Sequence, residues 1–199
     1  MRARTVLAAS TVLALLLCLA SGERGWPAGD AHIYDSPLVS AAPVNPLEDR
    51  ASTSFRFEDA RGVYERHVFP GDAGTRGEGE QTPYVNLLFT YAGHKRSGDI
   101  HTCEQLNHII YGDVQLTRVL RSGREVTTRH KGGDVVRVPP HVPHLYSYSS
   151  NTLMSETWRH ADGTPCEFQA WFYKPLRDRI PSATAEKRFT AAGDDEQRT

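Results

Sequence analysis

Gly93-His94-Lys95-Arg96-Ser97-Gly98-Asp99-Ile100-His101-Thr102-Cys103-Glu104-Gln105, running on to Gly112, carries the architecture together with Gly133-Asp134-Val135-Val136-Arg137-Val138-Pro139-Pro140-His141-Val142-Pro143-His144. In the second segment a glycine turn leads into alternating valines, and a rigid Pro-Pro corner then delivers His144. In the first, Asp99 and His101 are two apart on a β-prone run, so they share one face of a strand. Two histidines and two oxygen-bearing side chains, Asp99 and Gln105, are thereby placed at spacings suited to one metal site.

The surrounding sequence is punctuated for β-structure. Alternation marks strands at 54–59, 63–69 and 83–91, with a Gly-rich polar loop at 71–81. Residues 99–103 and 105–111 form a strand pair, and 114–120 faces 124–130 across Arg121-Ser122-Gly123, a short glycine-bearing hairpin loop. Strands follow at 133–138, 145–149, 152–159 and 167–173, and helical signal begins only after Lys174. Many short strands divided by turn residues favour a sandwich or barrel.

These segments resemble the two signature motifs of the cupin superfamily, small β-barrels of jelly-roll type. The first motif, G-x5-H-x-H-x3,4-E-x6-G, is met by Gly93-x5-Asp99-x-His101-x3-Gln105-x6-Gly112, with spacing kept and two of four ligand types changed. The second, G-x5-P-x-G-x2-H, is met by Gly133-x5-Pro139-x-His141-x2-His144, with histidine in place of the middle glycine. The resemblance covers roughly Thr82 to Trp158. It implies an all-β, single-domain, double-stranded β-helix with a short C-terminal helical segment. It also turns Asp99, His101 and Gln105 inward, continued by Asn107, Ile109 and Tyr111, with Leu106, His108 and Ile110 facing out. A second subunit would cover that outer stripe, making a homodimer; the alternative cover is 174–180 or the N-terminal arm.

Domain organisation follows from composition. Arg2 and Arg4, an apolar run from Val6 to Ala20, and the small residues Ala20-Ser21-Gly22 read as a signal peptide over 1–22. The run is shorter than the roughly 20 residues that span a bilayer, so a cleaved signal is the first reading and an uncleaved signal anchor the second. The chain is therefore expected in a secretory lumen or outside the cell, with no membrane attachment after signal removal. Residues 23–50 form an extended arm, 51–181 the barrel and 182–199 a flexible tail. Of three cysteines, Cys18 leaves with the signal, and Cys103 and Cys166 remain as either one disulfide or two buried thiols. With 23 basic and 24 acidic residues the chain carries no electrostatic signature of a nucleic-acid partner, and a small-molecule ligand fits better.

The donor set suits a divalent Fe, Mn, Zn or Ni ion, with the amide as its weakest ligand. The carboxylate at 99 and the amide at 105 leave the formal charge of the four-residue set at minus one, as in the motif. Glu104 takes the place of Gln105 only if the turn is one residue shorter. Tyr146, Tyr148 and Trp158 line a pocket or pack the core. Three functions are compatible: a metal-dependent, dioxygenase-like enzyme in which His101 and His144 serve catalysis; a metal-free enzyme similar to sugar epimerases and isomerases; and a non-catalytic binding module.

Overall fold

The structure, a computed structural model, describes residues 33–44, 54–69, 84–164, 166, 169–181 and, as backbone, 188–191. The expected signal peptide lies outside these residues. The strands are β1 (Phe55–Asp59), β2 (Gly62–Val68), β3 (Tyr84–Thr90), β4 (Lys95–His101), β5 (Glu104–Tyr111), β6 (Asp113–Val119), β7 (Glu125–Lys131), β8 (Val135–Val138), β9 (His144–Tyr148), β10 (Thr152–Arg159), β11 (Ala170–Phe172) and β12 (Arg188–Ala191). Among the described residues one α-helix, α1 (Lys174–Arg177), follows β11.

The β6–β7 hairpin is the centre of the topology. It turns through Gly123, whose N–H donates to the Leu120 carbonyl at 2.8 Å. Outward from it, β5 pairs with β8, β4 with β9 and β3 with β10, all antiparallel. That is one long hairpin wound on itself, and the further pairs β5–β10 and β6–β9 close it into a jelly roll. Two antiparallel sheets result, β12-β1-β2-β3-β10-β5-β8 and β11-β4-β9-β6-β7.

Period-two alternation fills the space between the sheets. On β10, Met154, Glu156 and Trp158 are buried and their neighbours less so. Phe55, Phe57, Tyr64, Leu88, Ile109, Val114, Leu116, Val138 and Met154 belong to the main core cluster. Burying a side chain of this size is worth about 1.5–3 kcal/mol. Gly112 lets β10 approach closely: at φ 99°, a Cβ there would stand 2.4 Å from Thr152 Oγ1.

The expected pairing of 99–103 with 105–111 is not found, because β4 and β5 lie in different sheets; three further expectations change. Tyr111 does not continue the inward set. A register shift pairs Leu153 with Tyr111 and Met154 with Ile109, so Ile110 is unopposed and the alternation flips. Ile110 and Tyr111 are therefore 46% and 47% exposed. Second, part of the expected flexible tail, Arg188–Ala191, is strand β12 against β1. Third, among the described residues the outer stripe of β5 is covered neither by α1 nor by 33–44. Helix α1 packs Leu176 with Val119, Leu145 and Ile180, on the five-stranded sheet. Residues 33–44 run along β11, where Ser40 N–H donates to the Phe172 carbonyl at 2.9 Å and Val39 bridges Tyr173.

Candidate functional site

The motif residues arrive from both sheets. Asp99 and His101 lie on β4, Gln105 on β5 and His144 on β9, where Asp99 is paired directly with His144. A bulge at Ser97 and Gly98, both at positive φ, realigns β4 just before Asp99. His101, Gln105 and His144 are essentially without solvent contact, and the Asp99 side chain retains 15% exposure. Glu104 points outward and pairs with Arg137 at 2.8 Å, while Gln105 is buried. His141 takes φ 62°, the left-handed conformation for which the motif supplies glycine. Its N–H donates to the His101 carbonyl at 2.8 Å and its Nδ1 meets the Tyr34 hydroxyl at 2.7 Å. It is thus a brace between the proline corner, β4 and the N-terminal arm.

The signature segments sit as neighbouring strands of a jelly roll and turn Asp99, His101, Gln105 and His144 into its interior. The chain has a cupin fold.

No family model and no curated protein matches the sequence, but solved structures do. Bacillus subtilis oxalate decarboxylase, a protein with Mn(II) centres, is 14% identical over 59% of this chain and 31% of its own, with a TM-score of 0.46. The capsular polysaccharide assembling protein CapF from Staphylococcus aureus is 13% identical over 61% of this chain and 34% of its own, at 0.45. CapF with 3-isopropenyl-tropolone is 15% identical over 53% and 29%, at 0.42. The chain spans about a third of the length of those proteins. The likeness concerns fold alone.

Hydrogen-bond bookkeeping places the protons in the site. His101 Nδ1 lies 2.6 Å from the Cys103 carbonyl and His144 Nδ1 lies 3.1 Å from the Val142 carbonyl. A carbonyl only accepts, so each ring carries its proton on Nδ1 and presents a lone pair at Nε2. His144 Nε2 faces Asp99 Oδ1 at 3.5 Å, and neither atom has a hydrogen-bond partner. His101 Nε2 faces Gln105 Oε1 at 3.2 Å, because the Gln105 amide nitrogen donates to Glu156 Oε2 at 2.6 Å. The two rings stand 4.9 Å apart, centroid to centroid. Among the described residues no three His, Cys, Asp or Glu side chains form a ready-made metal group. The four candidates stand instead as two facing pairs of acceptors.

The surroundings keep both rings neutral. Burial holds His101 well below its ordinary pKa, with His144 adding to the effect. Burial likewise brings His144 down to about 4, and Arg118, opposite it in the sheet register, contributes. Burial pushes the Asp99 carboxyl up to about 7, with Glu156 adding and Arg177 opposing. Two residues of this environment had only weak sequence signals. Glu156 is an inward acid between Met154 and Trp158; burial raises its pKa against hydrogen bonds from Asn86, Trp158 and Gln105. Arg118 shares an inner face with Val114 and Leu116. Trp158 packs edge-on to His101 at 4.5 Å, while Tyr146 and Tyr148 belong to the main core.

A pH dependence follows for the metal-free protein. Between 3.8 and about 7 the folded state retains a proton on Asp99 that the unfolded chain has lost, so this group lowers folding stability as pH rises through that window. Asp99→Asn removes the term. In chelator, the stability of the variant relative to wild type is expected to climb from pH 4 to pH 7, read from urea midpoints. A flat difference would mean that Asp99 titrates as it does in an unfolded chain.

Proposed function

We propose that this cupin binds one divalent first-row cation, Fe, Mn, Zn or Ni, through Asp99, His101, Gln105 and His144, and acts through it on a small molecule in a dioxygenase-like reaction. The observation that carries this reading is His144 Nε2 facing Asp99 Oδ1 with no hydrogen-bond partner on either atom, beside His101 Nε2 at 3.2 Å from Gln105 Oε1. Unpaired buried acceptors are costly, and a cation between them relieves that cost. Neutral imidazoles and one carboxylate are the donors such ions prefer. The ion would supply Lewis acidity or redox chemistry. The protein's part is to hold both rings in the Nδ1–H tautomer through the Cys103 and Val142 carbonyls, to orient the amide of Gln105, and to keep water scarce around His101 and His144.

A metal-free acid–base site is the second reading, favoured by the Asp99 carboxyl at about 7 beside His144, where one proton can be shared between oxygen and Nε2. Elemental analysis separates the two. Protein purified without chelator and without a histidine tag is expected to hold close to one equivalent of a first-row metal; metal-free protein that also fails to take up added Mn(II), Fe(II), Zn(II) or Ni(II) overturns the cation reading. We also propose export with loss of residues 1–22, supported by the Cys103–Cys166 disulfide, a bond that persists in oxidising compartments.

A further inference from the structure

The acid missing from position 105 of the signature has a counterpart one hydrogen bond away. Glu156 lies on β10, two residues from Trp158, which is the register partner of Gln105. Its carboxylate accepts from Asn86 Nδ2 at 3.1 Å and Trp158 Nε1 at 3.1 Å on Oε1 and from Gln105 Nε2 at 2.6 Å on Oε2, with Asn107 a further side-chain partner. Asn86 is itself held by Arg66, whose Nε donates to Asn86 Oδ1 at 3.0 Å. A chain of directed bonds therefore crosses β2, β3, β10 and β5 and ends at the ring of His101.

We propose that Glu156 is the positioning residue of the site: by accepting from the Gln105 amide nitrogen it turns the amide oxygen toward His101 and the cation, and it lends that oxygen part of a carboxylate's charge. This rests on the cation reading. An amide left alone could present its NH2 group to His101 Nε2, a good hydrogen bond that would block a cation. An acceptor-only partner at position 156 forbids that orientation. Carboxylates bonded behind metal ligands act in the same way, and losing one costs about 10–100-fold in affinity.

The arrangement makes an isosteric test unusually sharp. In Glu156→Gln the new amide oxygen is retained by Asn86 and Trp158, so its NH2 group faces Gln105. Gln105 must then reverse and direct its own NH2 at His101 Nε2. The bonds to Asn86, Trp158 and Gln105 are all kept, so folding stability is expected to stay near wild type. Affinity for Mn(II) or Zn(II), measured by titration calorimetry, is expected to fall at least tenfold. In the double variant Gln105→Glu/Glu156→Gln the amide introduced at position 156 donates to the carboxylate introduced at position 105, which offers its other oxygen to the ion, and affinity is expected to return to the wild-type level or above. Unchanged affinity in E156Q, or no recovery in the double variant, overturns the proposal. A metal-free readout distinguishes this from failure of the cation reading. The ¹⁵N resonance of His101 Nε2 in chelator is expected to shift in E156Q to that of a nitrogen accepting a hydrogen bond. If wild type binds no metal but the resonance shifts, Glu156 orients Gln105 in a site of another kind; if it does not shift, the positioning role is absent.

Discussion

His144→Ala is expected to take the metal content of the purified protein from about one equivalent to none. His144 presents the Nε2 lone pair that faces Asp99, and its ring is completely buried. His101→Ala is expected to do the same, because it removes the other imidazole donor. Gln105→Ala should only weaken binding, since a neutral amide is the poorest donor of the four. The measurement is metal per chain after dialysis against a fixed free-ion concentration, with near-ultraviolet circular dichroism to establish that each variant retains its tertiary packing. Stoichiometric metal in a folded His144→Ala protein would remove the site from consideration.

Loss of the Cys103–Cys166 bond is expected to have the largest effect on stability. The bond joins the turn between β4 and β5 to the segment before β11, and the two cysteines are 63 residues apart in sequence. Chain-entropy bookkeeping for a loop of that length gives about 4 kcal/mol, a large share of the stability of an ordinary domain. The two sulfurs pack against Trp158, which touches His101, and the Cys103 carbonyl accepts the His101 Nδ1 proton. Cys103→Ser/Cys166→Ser is therefore expected to shift the urea midpoint strongly downward and to reduce metal affinity as well. An identical midpoint for wild type with and without reductant would be the contrary result.

Particular residues separate what was legible from what was not. Alternation alone put Asp99 and His101 on one face, located the β6–β7 hairpin at Gly123 and placed α-helix only after Lys174, and all of these appear among the described residues. The choice between Gln105 and Glu104 depended on the resemblance, and the outward salt bridge of Glu104 with Arg137 agrees with it. Glu156 was visible only as an acid in an otherwise apolar inward series, Met154, Glu156, Trp158. That pattern marks a buried charge without naming its partners, which come from β3 and β5.

Strand period, turn residues and motif spacing were determined by the sequence itself, because they express backbone geometry over a few neighbouring residues. The bulge that exposes Ile110 and Tyr111, the pairing of β12 with β1, the course of residues 33–44 along β11, and the joining of Cys103 to Cys166 were decided by tertiary structure. So was the orientation of the Gln105 amide, set by a carboxylate 51 residues away. Each of these depends on which distant strands come to lie side by side, and no local periodicity encodes that: the free energy that selects them arises only when the whole barrel closes and its buried polar groups must find partners.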